Sequence, residues 1–165
     1  MHWKASRLFI GVILAEKVRI QIDKLVYGGD GIGRLPDGRA VFVPFTLPRE
    51  VVELQIVQEG KKFARGRLIN LLEAAPERIQ PRCKHFGTCG GCHYQHIPYD
   101  AQLQAKLAIL QDQMDRLGGF SALPSGGITS SPSPWNYRNQ VQFHPAPEGG
   151  LGFMDIEGKI GRAHV

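Results

Sequence analysis

Cysteine is absent from this chain except at Cys83, Cys89 and Cys92, which fall within ten residues of one another. An odd, tight cluster makes a poor disulfide framework, so the thiols indicate a reducing compartment and a metal site, and a cytoplasmic location is expected. Long hydrophobic runs are also scarce. Leu8 to Ala15 follows Lys4 and Arg7 like a short signal core, but it is eight residues long, and a span needs about 20. We read it as an N-terminal extension or an early start codon, and expect no membrane partner. The nucleotide-cradling glycine motifs are missing as well. Gly28, Gly29, Gly31 and Gly33 lack the Gly-x-Gly-x-x-Gly order, no Lys-Ser/Thr pair follows, and no helix begins there. A turn between strands is the better reading, with backbone contact to an RNA phosphate as an open possibility. A chain of 165 residues also has no room for a full doubly wound catalytic domain beside these elements.

The charge is uneven. Residues 1–82 carry fourteen basic and nine acidic side chains, whereas residues 83–165 carry six of each. The whole excess of positive charge lies in the first half, where it favours a polyanion through counterion release.

Period-two alternation begins at Lys17, with Val18, Ile20 and Ile22 on one side and Arg19, Gln21 and Asp23 on the other. This spacing predicts a half-buried strand. The turn Pro36-Asp37-Gly38 precedes a second strand over 40–45; Val51 to Val57 gives a third, and Phe63 to Leu72 a fourth. Short strands with turn chemistry between them predict a small antiparallel OB-like barrel. A helix follows the cysteines, with Asp100 as its cap, a core-facing stripe of Leu103, Leu107, Leu110, Met114 and Leu117, and Gly118-Gly119 as its stop. A Ser/Pro-rich linker comes next, and residues 137–144 and 151–156 predict a hairpin. The fold class is therefore mainly β with one helix. We divide the chain into an extension (1–16), a barrel (17–76), a cysteine segment with its helix (77–119), a linker (120–134) and the start of a second β domain (135–165).

Cys83-x5-Cys89-Gly90-Gly91-Cys92 is the strongest local motif. Thiolates bind zinc and iron–sulfur clusters, and glycines let the backbone fold closely around such a centre. Zinc needs a fourth ligand, for which His85, His93 and His96 are candidates. A cubane cluster ordinarily needs a fourth cysteine. Spacing alone leaves the metal open, and a self-contained zinc-binding nucleic-acid module without enzymatic activity is the alternative to an enzyme portion.

The run from Pro81 through Cys83, Cys89, Cys92, Gln95, Tyr99 and Gln102 to Lys106 resembles the cluster signature of bacterial 23S ribosomal RNA uracil-5-methyltransferases of the RumA type. Upstream, Tyr27 to Gly33, Val41-Phe42-Val43-Pro44 and Leu47-Pro48 resemble the TRAM domain of that family. Downstream, Pro134 to Asn139 and Leu151-Gly152-Phe153 resemble the start of its central domain. Arg49 departs from the pattern, which tends to have glycine there.

The resemblance implies a 4Fe-4S cluster with Cys83, Cys89 and Cys92 as three of its four ligands, the fourth cysteine lying beyond Val165. It places the nucleophilic cysteine, the carboxylate base and the S-adenosylmethionine pocket in a C-terminal domain outside this chain, so no catalytic residue is expected here. The implied partner is ribosomal RNA, with no stable protein partner. Candidate RNA contacts are Arg34, Arg39, Lys61, Lys62, Arg65 and Arg67, with Phe63 as a stacking platform. Arg138 joins them, with Trp135 and Tyr137 packing beside it.

Overall fold

The computed structural model describes residues 17–121, 127–146, 149–156 and 158. The extension at 1–16, the middle of the linker and the last residues of the second β domain lie outside the described residues. Five strands, β1 (Lys17–Leu25), β2 (Gly31–Arg34), β3 (Ala40–Val43), β4 (Val51–Glu59) and β5 (Phe63–Glu73), close into a barrel in the order β1-β2-β3-β5-β4. Every pairing is antiparallel except β3 with β5, whose parallel contact closes the wall. The OB-like barrel expected from alternation is present. Ile20, Ile22, Leu35, Val41, Val43, Val52, Leu54 and Ala64 fill its interior.

Strand β2 departs from expectation, since the glycine run is half strand. A Cβ on Gly31 would meet Thr46 Oγ1 at 2.1 Å, and one on Gly33 would meet the Gln21 carbonyl oxygen at 2.4 Å. Glycine stands there because the barrel wall approaches too closely for any side chain. The strand expected over 40–45 ends at Val43, and Phe45 takes a positive φ of 63°. Arg49, where the resembled family tends to have glycine, sits at φ 73°. That left-handed conformation favours glycine; here the arginine's Nη2 donates to both Glu77 oxygens at 2.7 Å.

Helix α1 (Tyr99–Gln113) widens into a π turn over Met114–Gly118 and stops at Gly119, whose φ is 69°. Pro98 is its N-cap, so Asp100 lies in the first turn and favours the helix dipole instead of capping. The most deeply packed face is offset from the expected stripe. Ile109 is buried with Leu25, Leu47, Ala75 and Ile97, and Ala101 and Ala105 lie against the same cluster. Leu110 and Leu117 of the expected stripe are exposed. Small alanines let the helix approach the barrel floor, while Leu103, Leu107 and Met114 of the expected stripe are half-buried beside them. Lys24 of β1 holds Asp112 of α1 in an ion pair, and Arg116 pairs with the same carboxylate at 2.9 Å.

The hairpin expected around 145–150 is reduced to β6 (His144–Pro145) against β7 (Leu151–Gly152). Among the described residues no helix is long and apolar enough to cross a membrane.

Candidate nucleic-acid interface

Alternation along β5 sends Ala64 and Gly66 into the barrel and leaves Phe63, Arg65 and Arg67 on its outer face. Phe63 is 45% exposed and packs edge-on against Phe42 of β3, with ring centroids 5.7 Å apart. Register places Phe42 beside Arg65 and Ala40 beside Phe63. Sequence reasoning missed Phe42; its signal was its place in alternation opposite the buried Val41 and Val43. Lys61 and Lys62 are exposed in the β4–β5 turn at one end of this face.

The arginines there differ in commitment. Arg39 donates to Asp37 Oδ2 at 2.6 Å, to the Gly60 carbonyl at 3.0 Å, and lies 3.5 Å from Glu59. The carboxylate beside it raises the Arg39 guanidinium above its ordinary value, and Asp37 is correspondingly held below the usual carboxylate range by its bonds from the Arg39 backbone and side chain. Arg39 therefore braces the β2–β3 turn to the β4–β5 turn. Arg34 is exposed and donates to the Gly38 carbonyl at 3.0 Å, while Arg65 reaches Asp30 only at 3.4 Å. Arg138 is exposed, well along the chain from the barrel. The cation over the Trp135 ring is Arg82, at 5.2 Å, and not Arg138.

The cysteine loop is shaped by main-chain bonds. Phe86 N–H donates to the Cys83 carbonyl at 3.1 Å and Cys89 N–H to the His85 carbonyl at 2.9 Å, with Gly87 at φ 90°. Cys83 and Cys92 are exposed and Cys89 is half-buried. The Cys89 sulfur accepts the Gly91 N–H at 3.4 Å, a contact of the kind that tunes thiolate ligands. Among the described residues no three His, Cys, Asp or Glu side chains converge on a metal position. Three thiols lie on one short loop, with an N–H directed at one sulfur. Of the three histidines weighed as a zinc ligand, His93 is exposed, His85 half-buried, and His96 sealed beneath the barrel at 0% exposure. The loop also meets the downstream segment: Gly90 N–H donates to the Met154 carbonyl at 2.9 Å and Ile156 N–H to the Thr88 carbonyl at 3.1 Å.

Buried residues join the loop to the barrel. His96 packs against Phe86 with centroids 5.2 Å apart, and neither of its ring nitrogens has a hydrogen-bond partner. Burial and the nearby Arg78 charge hold its pKa down to about 4.

Comparison with known proteins agrees with this architecture. Residues 14–69 match the TRAM domain family. A protein of Aquifex aeolicus named an uncharacterized RNA methyltransferase is 40% identical over 126 residues, covering 76% of this chain and 29% of the relative. One of the same description from Halalkalibacterium halodurans is 38% identical over 135 residues, covering 81% of this chain and 29% of the relative. The chain thus spans about three tenths of the length of these curated relatives. The crystal structure of Pyrococcus abyssi tRNA (uracil-54, C5)-methyltransferase with S-adenosyl-L-homocysteine shares the fold, with TM-score 0.55 and 24% identity, over 88% of this chain and 31% of that one. The chain carries a TRAM domain, built as the five-stranded barrel, and is similar over most of its length to bacterial proteins named RNA methyltransferases.

Proposed function

We propose that this chain is the RNA-binding and cluster-binding portion of an S-adenosylmethionine-dependent uracil-5-methyltransferase acting on 23S ribosomal RNA. The observation that carries the reading is the outer barrel face, where exposed Phe63, braced edge-on by Phe42, alternates with Arg65 and Arg67 beside Lys61 and Lys62. Aromatic platforms interleaved with cations suit single-stranded RNA, because bases stack while phosphates meet the charges. Similarity to proteins named RNA methyltransferases supports the class, and the uracil-specific structural neighbour agrees in fold.

Cys83, Cys89 and Cys92 are the residues that would hold a 4Fe-4S cluster, consistent with three thiols in one loop and an N–H directed at Cys89. Such a cluster would cross-link the loop and supply a redox-sensitive centre when bound. The chain's own contribution is to hold RNA: Phe63 orients a base, and the surrounding cations fix the backbone. The test is binding of single-stranded ribosomal RNA fragments by the 165-residue chain over a salt series. Affinity should fall steeply with salt, Arg65→Ala should make the slope shallower by about one charge, and Phe63→Ala should weaken binding about tenfold. Binding indifferent to salt and to both substitutions would refute the reading.

A further inference from the structure

The barrel, the cysteine segment and α1 meet at a cleft on the side of the molecule where the β1–β2 turn crosses the helix. Its volume is about 450 Å³, and Tyr27, Gly28, His93, Tyr94, Lys106 and Gln113 line it. That lies within the span of ordinary ligand clefts, roughly 300–1,000 Å³. A second hollow of about 250 Å³ continues from it along the helix, sharing Tyr27 and Gln113 and reaching Phe42. The cleft thus opens toward the aromatic face of the barrel.

Its construction explains the first two glycines of the run, Gly28 and Gly29. Gly29, at φ 93°, lies so close to the cysteine segment that a Cβ there would meet His93 Cβ at 3.0 Å and Tyr94 Cζ at 3.2 Å. Gly28 has the same φ, with open space where a Cβ would point. The two glycines let the turn lie flat on Tyr94 and hold Tyr27 outward, at 80% exposure. The exposed Tyr27 ring thus stands free at the wall of the cleft. Lys106 Nζ stands 5.8 Å from the centroid of the Tyr94 ring, so a cation sits at the aromatic wall.

We propose that this cleft seats one unstacked nucleotide of single-stranded RNA, its base against Tyr27 and Tyr94 and its phosphate on Lys106. Every base has a π-face for the tyrosines, whereas His93 and Gln113 offer polar groups to the base edge. The inference rests on the RNA-binding reading and adds a site distinct from the Phe63 face, joined to it through the hollow that reaches Phe42.

The experiment uses the whole chain and a single-stranded RNA oligonucleotide carrying one 2-aminopurine, whose fluorescence is quenched when it stacks. Binding should quench the probe. Tyr27→Ala should abolish the quench and weaken binding about tenfold, with Tyr27→Phe restoring both. Lys106→Met, which keeps the apolar stem, should weaken binding severalfold and make its salt dependence shallower. Both side chains stand at the surface, and unchanged circular dichroism will confirm that the variants fold. Binding that survives Tyr27→Ala and Lys106→Met but falls with Phe63→Ala would overturn the cleft and leave the barrel reading standing. Failure of the unaltered chain to bind any RNA would overturn both.

Discussion

Glu50 and Arg78 meet in a two-point ion pair at the barrel floor, Arg78 Nε and Nη2 donating to the two Glu50 oxygens at 2.5 and 2.8 Å. Glu50 is fully buried and also accepts the N–H groups of Leu47, at 2.8 Å, and Ala75, at 3.2 Å. Arg78 Nη2 reaches the Phe45 carbonyl at 2.8 Å as well. One carboxylate therefore ties the β3–β4 connection to the segment leaving β5, which leads into the cysteine loop. Removing only the cation leaves a buried charge with two amide donors and no counterion. Arg78→Ala should cost about 3–5 kcal/mol in urea unfolding. A loss under about 1 kcal/mol for Arg78→Ala would mean that the pair is solvated like a surface bridge.

The helix makes a second, sharper prediction, because neighbouring residues have opposite environments. Ile109 is 8% exposed in the cluster with Leu25, Leu47 and Ile97, and Leu110 is 47% exposed. Ile109→Ala should destabilise by about 2–4 kcal/mol through lost transfer energy and a cavity, whereas Leu110→Asp should change stability by less than about 1 kcal/mol. Thermal melts of both variants check this, and the reverse order would show that the leucine row is the packed one.

Burial of His96 predicts a pH dependence. Its native pKa is lowered to about 4 from 6.5, so at intermediate pH the unfolded chain takes up a proton that the native one refuses. Stability is therefore full above about pH 6.5 and falls as pH drops toward 4, by roughly 3 kcal/mol from this group. The variant His96→Phe, which keeps a ring beside Phe86, should show a shallower decline across that window than the unaltered protein. Parallel stability curves would remove His96 as the cause.

These features divide by how each was written in the sequence. Strands β1, β4 and β5 were legible because alternation reports one buried face directly, as in Val18, Ile20 and Ile22. Strand β2 was hidden because Gly31 and Gly33 are chosen by the close approach of Thr46 and Gln21, and locally that looks like a turn. The helix was legible as an element but not in its orientation, since Ala101, Ala105 and Ile109 form a row as regular as the leucines and less hydrophobic. The Glu50–Arg78 pair and buried His96 could not be seen, because charged and polar residues are ordinarily solvated and nothing local marks an exception. On the candidate interface, Phe63, Arg65 and Arg67 were legible as an aromatic and two cations on the last strand, but the bracing role of Arg39 and the partnership of Phe42 needed the parallel β3–β5 contact, which joins segments over twenty residues apart.

The cysteine loop gives the last prediction. Three thiolates can hold a cubane while leaving one iron to water, a thiol or a nearby side chain, and that iron is the one lost first to oxygen or chelators. Protein reconstituted anaerobically with iron and sulfide should be brown, with absorption that bleaches in air. Cys89→Ser should abolish the colour, because Cys89 is the half-buried thiol whose sulfur accepts the Gly91 N–H, and a neutral hydroxyl is a poor substitute for a thiolate donor. Zinc distinguishes itself in the same experiment. It needs four closed ligands for a structural site, and of the three candidate histidines His96 is sealed at 0% exposure, whereas His85 is half-buried and His93 exposed. Colourless protein that instead holds one equivalent of zinc tightly would overturn the cluster assignment and make this loop part of a zinc-stabilised nucleic-acid-binding module.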